Sequence, residues 1–118
     1  MIEIIATPQF DKDIKYYKTK KKYKHVEDDV NSIVLEIEKG NFIGDEIPNL
    51  SLSNGKHTYK VRVANSDTNS GKSNGYRVIY YAIDERNVVY LLSIYYKKDE
   101  FRVLTNNEII NVINEYCD

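Results

Sequence analysis

The sequence predicts an α+β domain: an N-terminal strand and a helical hairpin packed on a curved antiparallel sheet, closed by a C-terminal helix. Three observations predict it. Apolar residues recur at helical spacing between Phe10 and Ile37, the period changes to two from Lys56, and helical spacing returns after Thr105. The 118 residues suit one ordinary domain, and no repeat or linker divides them, so residues 1–118 read as a single unit.

Met1 to Thr7, carrying Ile2, Ile4 and Ile5, reads as a short strand. Pro8 suits a first helical turn, and Phe10, Ile14 and Tyr17 follow at i, i+4 and i+7. Lys18 to Lys24 is a solvated bend into a second helix, whose apolar stripe is Val26, Val30, Ile33, Val34 and Ile37. Glu27, Asp28 and Asp29 lie in its first turn, where the helix dipole favours anions, and Gly40 suits its end. With so short a connection, the two helices make an antiparallel hairpin.

From Lys56, Tyr59, Val61 and Val63 point one way while Thr58, Lys60 and Arg62 point the other. Asn65 to Gly75 is a Ser/Asn/Gly-rich loop. Tyr76 to Ile83 and Val88 to Tyr96 read as strands joined at residues 84–87 and, being apolar on both faces, belong at the centre of the sheet. In the last helix Thr105 and Glu108 form a capping box and Leu104 with Ile109 a hydrophobic staple. Its buried stripe is Ile109, Val112, Ile113 and Tyr116.

Composition narrows the function classes. Cys117 is the single cysteine, which excludes an intramolecular disulfide framework. The longest apolar run, Val78 to Ile83, falls far short of the roughly 20 residues of a membrane span. Met1-Ile2-Glu3 lacks a signal-peptide pattern, so the expected location is the cytoplasm, with no membrane partner. Eleven tyrosines and no tryptophan suit half-wet sheet faces and binding clefts.

The net charge of -1 conceals segregation. Residues 11–25 hold seven lysines against Asp11 and Asp13, residues 26–50 hold seven acids against Lys39, and residues 56–77 hold five cations against Asp67. The two basic blocks suit a polyanion.

Lys60 and Arg62 emerge on the same side of one strand. Arg77 opens the next strand, and Tyr95, Lys97 and Lys98 close the third, so antiparallel order converges Arg62, Arg77, Tyr95, Lys97 and Lys98 at one end of the sheet. Cations around a tyrosine, without carboxylates, suit a phosphodiester: arginine forks stabilise added phosphate charge, and tyrosine stacks or hydrogen-bonds. The alternative is a set of solvated strand-end charges. The run holding Lys20, Lys21, Lys22 and Lys24 is either a solvated helix end or a contact with structured RNA. His25 and His57 suit solvated or capping positions, and two histidines with one cysteine are too few for a zinc site. Gly71-Lys72-Ser73 is not a nucleotide-binding loop, because Ser66 stands where that motif needs glycine and no helix follows. No metal or cofactor is expected.

Three stretches carry a resemblance: Tyr59-Lys60-Val61-Arg62, Gly71 to Tyr80 with its Gly-Tyr-Arg-Val-x-Tyr segment, and Leu92 to Glu100. Together they resemble the RelE/ParE toxin superfamily, most closely its HigB-like and RelE-like branches, and the element order is similar over nearly the whole chain. The resemblance implies a type II toxin–antitoxin system, a cognate antitoxin, and a ribosome-dependent endoribonuclease that cuts mRNA by attack of the ribose 2′-OH on the adjacent phosphate. ParE-like members poison DNA gyrase instead, and a toxin-like module that binds without cutting is the third reading. Carried over by position, Lys60 is the candidate base or orienter, Arg62 and Arg77 the transition-state stabilisers, and Lys98 or Tyr95 the acid. Lys72 and Lys97, with Lys20, Lys21, Lys22 and Lys24, are candidate RNA or ribosome contacts. Such toxins are usually strongly basic. The pI near 6.1 reflects the acidic second helix, which can face away from RNA.

Overall fold

A computed structural model describes residues 2–117; Met1, where the sequence reading starts the first strand, and Asp118 lie outside the described residues. Five strands form one open sheet: β1 (Glu3–Ala6), β2 (Asp45–Glu46), β3 (Lys56–Val63), β4 (Tyr76–Ile83) and β5 (Val88–Tyr96), in the order β1-β5-β4-β3-β2. Among the described residues three α-helices accompany them: α1 (Pro8–Thr19), α2 (Val26–Glu38) and α3 (Asn106–Tyr116). The α+β class and the interior placing of β4 and β5 agree with the sequence. No helix among the described residues is long and apolar enough to cross a membrane.

Two features of the sheet correct the expectation. It is mixed rather than antiparallel, because β1 joins its edge parallel to β5, Glu3 opposite Val88 through Ala6 opposite Leu91. β2 pairs two exposed acidic residues with Tyr59 and Lys60. Neither residue type nor length marks so short a strand.

The helices divide between the faces. α1 and α2 cover one, where Phe10, Tyr17, Val26, Val30, Ile33 and Ile37 pack on Val61, Val63, Val78 and Tyr80. α3 covers the other, with Ile109, Val112 and Ile113 against Ile79, Tyr81, Leu92 and Tyr95. Thr7 caps α1 by accepting from the Phe10 amide, and its own hydroxyl donates to the Leu91 carbonyl, fixing the turn out of β1. The capping box of Thr105 and Glu108 is present. Cys117, not Tyr116, completes the buried stripe of α3; Tyr116 is 40% exposed.

Tyrosine also departs from its expected place. Tyr17, Tyr76, Tyr80 and Tyr81 are wholly buried, forming interior rather than half-wet surface. Their polar ends are mostly satisfied: Tyr17 donates to Asp99 and accepts the Tyr96 amide, and Tyr80 donates to the Ile43 carbonyl. Among the described residues the buried Tyr76 hydroxyl has no hydrogen-bond partner.

A β-bulge sets the faces of β5. Ile79 pairs with Ser93 but Tyr80 with Leu91, leaving Leu92 as the extra residue. The shift changes side-chain parity, since one added residue turns everything beyond it to the other face. Val89 and Leu91 face the helical hairpin before the bulge; Ile94 and Tyr96 do so after it. Tyr95 is thereby delivered to the α3 face. At the same place the Ser93 hydroxyl and Ile94 amide donate to buried Asp13 of α1, which also pairs with Arg102 at 3.0 Å.

Candidate functional site

Pairing register builds a row of side chains across three strands. Arg62 of β3 lies opposite Arg77 of β4, which lies opposite Tyr95 of β5. Lys60, two residues before Arg62, holds its Nζ 5.9 Å from the centroid of the Tyr95 ring. Four of the five candidate catalytic residues thus share one face. Arg62 is exposed, Lys60 half-buried, and Arg77 and Tyr95 buried at 9% and 6% exposure.

Arg77 is engaged before any ligand arrives. Its Nη1 donates to the carbonyls of Lys72 and Tyr76 at 3.2 and 3.3 Å, and its Nη2 donates to the Ser73 carbonyl at 3.0 Å. The guanidinium therefore holds the short 3-10 turn Lys72–Asn74 against the start of β4. Burial first, then the neighbouring Arg62 charge, lowers the Arg77 pKa. The turn is pinned from the other side by the Lys97 amide, which donates to the Gly75 carbonyl at 2.9 Å. Gly75 is required there because a Cβ would lie 2.1 Å from the Val63 carbonyl oxygen.

Lys72 and Lys97 are exposed beside this turn, and Lys97 Nζ lies 3.5 Å from Asn74 Oδ1. Lys98 is exposed in the turn after β5. Its charge acts on the Tyr96 phenol, whose pKa is lowered chiefly by hydrogen bonds with Ser70 and Thr68. Tyr96 packs with the helical hairpin, so of the two candidate acids Tyr95 alone stands in the row.

The lysine run leaves α1 at the same end of the sheet, on the hairpin side. Tyr23 within it packs edge-on against Tyr76 and Tyr96. Lys21 Nζ lies 3.5 Å from buried Asp99, whose charge raises the Lys21 pKa. Lys20, Lys22 and Lys24 are exposed.

The acidic helix does not face away from the cations. Asp28, Asp29 and Glu36 of α2, with Asp45, line a groove of about 750 Å³ whose other wall includes Lys60, Arg62 and Lys72. This corrects the expectation from sequence. A signal for it was present: Asp28, Ser32 and Glu36 recur at i, i+4 and i+8, one helical stripe beside the apolar one. The site thus has two parts, a cationic row on the α3 face and a groove of mixed charge at the edge of β3. The first suits a phosphodiester; the second repels a polyanion from one wall. No family model matches this chain, and no curated protein matches it.

Proposed function

We propose that this chain is a RelE/ParE-like toxin of a type II toxin–antitoxin system, acting in the cytoplasm as a ribosome-dependent mRNA endonuclease. The observation that carries the reading is the row Arg62–Arg77–Tyr95, flanked by Lys60, on one sheet face. In the proposed reaction the ribose 2′-oxygen bonds to phosphorus, its proton leaves to a base, and the P–O5′ bond breaks as the leaving oxygen is protonated. The products are a 2′,3′-cyclic phosphate and a 5′-hydroxyl. Lys60 accepts or orients the first proton, Arg62 offers an exposed fork to the phosphorane oxygens, and Tyr95 supplies the acid. Arg77 has N–H groups left after its three carbonyl bonds, and these complete the cationic cradle. Lys72 and Lys97 contact the RNA backbone, with Lys20, Lys22 and Lys24 toward the ribosome.

Primer extension on mRNA from translating ribosomes tests this. Wild-type protein is expected to cut within A-site codons, and Arg62→Ala to lose at least tenfold of that cleavage while keeping the native fold. Intact messages with folded wild-type protein, or an Arg62→Ala variant of full activity, would remove the nuclease assignment. A binding module without catalysis is the second reading, and the acidic wall facing Arg62 favours it. Expression of the chain alone separates them: growth arrest with mRNA loss follows from the nuclease, arrest with DNA damage from a gyrase poison, and no arrest from a binding module.

A further inference from the structure

Asparagine is a labile residue, and it loses its side-chain amide most readily before glycine, which leaves the next backbone nitrogen unhindered. The chain has two such pairs, Asn54-Gly55 and Asn74-Gly75, and both asparagines are exposed. Their surroundings differ in sign. Asp84 stands beside Gly55, its carboxylate oxygen 3.9 Å from where a Cβ would lie. Asn74 instead sits at the cationic end of the sheet. Lys97 Nζ donates to its Oδ1 at 3.5 Å, and Arg77 holds the turn that carries it and Lys72. Loss of the amide passes through a backbone nitrogen anion and a tetrahedral oxyanion at Cγ. An ammonium on Oδ1 favours both, and a nearby carboxylate opposes them.

We infer that Asn74 is a self-modification site, at which water alone converts an amide into a carboxylate inside the cationic end of the sheet. The Gly75 nitrogen gives its proton to solvent and bonds to Asn74 Cγ. The Cγ–Nδ2 bond then breaks, and ammonia leaves with a solvent proton. Water adds to either carbonyl carbon of the cyclic succinimide that remains. Opening at Cγ gives aspartate; opening at the backbone carbonyl carbon routes the main chain through Cγ, as isoaspartate. Arg77 sets the pace. The 3-10 turn Lys72–Asn74 keeps the Gly75 nitrogen away from Cγ, so the ring closes only when the turn opens, and the Arg77 bonds to the Lys72 and Ser73 carbonyls resist that opening. Both products place an anion among Lys72, Arg77 and Lys97. Isoaspartate also lengthens the main chain beside Gly75, which has no slack: a Cβ there would lie 2.1 Å from the Val63 carbonyl oxygen, and its own carbonyl accepts the Lys97 amide at 2.9 Å. Loss of RNA cleavage with age is the consequence, and it rests on the nuclease reading, whereas the modification does not.

The test ages the folded full-length chain in warm, mildly alkaline buffer without RNA. Peptide mass spectrometry reads the amide-to-acid conversion, and isoaspartyl methyltransferase scores isoaspartate. Residue 74 is expected to convert ahead of Asn54. Lys97→Gln, which removes the ammonium, should slow conversion at residue 74 about threefold. Arg77→Lys, which loosens the turn, should speed it about threefold or more. In aged 15N-labelled protein the Lys97 amide of the isoaspartyl form should exchange faster than that of the fresh chain. An intact residue 74 while Asn54 converts overturns the proposal, as does a rate at residue 74 that Lys97→Gln leaves unchanged. A rate unchanged in folded Arg77→Lys removes the fork as its brake. None of these readings uses ribosomes, so primer extension succeeds or fails independently of them.

Discussion

Arg77 shows how one residue does two jobs that a sequence motif merges into one. Three of its hydrogen bonds go to the carbonyls of Lys72, Ser73 and Tyr76, so the fork shapes the turn that carries Lys72. Lysine retains the charge but cannot span three carbonyls. Arg77→Lys is therefore expected to speed amide exchange through residues 72–75 and, on the proposed nuclease reading, to lower RNA cleavage at least tenfold, whereas on that reading Arg62→Ala lowers cleavage without loosening the turn. Unchanged exchange in Arg77→Lys would show that the turn stands without the fork. Tyr76 makes a different prediction. Its buried hydroxyl has no hydrogen-bond partner among the described residues, a burden of about 1–3 kcal/mol in other proteins. Tyr76→Phe keeps the ring contacts with Tyr17, Tyr23 and Tyr96 and removes only that oxygen. The variant should be as stable as the wild type or more so by urea denaturation; a loss above about 1 kcal/mol would reveal a partner for the hydroxyl.

Among the elements, α1 and the bulged β5 are joined by Asp13. It accepts from Gln9, Ser93, the Ile94 amide and Arg102, and is 3% exposed. The guanidinium carbon of Arg102 in turn lies 3.8 Å from the centroid of the Tyr16 ring. Breaking one side of a buried ion pair strands the other, so Asp13→Ala should cost about 3–5 kcal/mol. Arg102→Met should cost less, and the double variant less than the sum, because the single changes share one lost interaction. Additive losses in urea denaturation would mean that the pair is not coupled. None of this network shows in the sequence. Asp13 occupies an ordinary polar slot of an amphipathic helix, and its partners lie about 80 and 89 residues away. What was legible is local: caps, helical stripes, strand periods and the turn between β4 and β5. What was not legible depends on pairing. The parallel place of β1 needs its partner, β2 is too short to carry a period, and the bulge at Leu92 reverses the parity that strict alternation assigns to Tyr95. The row Arg62–Arg77–Tyr95 was foreseen as a cluster because antiparallel order alone brings those strand ends together.

At the scale of the whole molecule, the interior is unusually phenolic, and this sets its response to alkali. Burial raises the pKa of Tyr17, Tyr76 and Tyr80 well above the ordinary tyrosine value; Asp99 adds to the effect at Tyr17, Asp29 and Asp67 at Tyr76, and Tyr59 at Tyr80. In the unfolded chain each titrates near 10. Below that pH both states hold the protons and stability is independent of them. Above it the unfolded chain releases protons that the native state retains, so stability falls as pH rises. Tyr96, whose pKa its hydrogen bonds lower, opposes this with a single group. One proton difference contributes about 1.4 kcal/mol per pH unit, so three buried phenols outweigh one. Urea midpoints should accordingly be flat from pH 7 to 9 and drop steeply between 10 and 11. Phenolate absorbance of the native protein should meanwhile account for fewer tyrosines than the eleven of the unfolded chain. A flat midpoint through pH 11, or full phenolate absorbance before unfolding, would place these rings in contact with water. The same core that makes the protein alkali-sensitive also serves the site: Tyr17, Tyr23, Tyr76 and Tyr96 form one aromatic block behind the ends of β4 and β5.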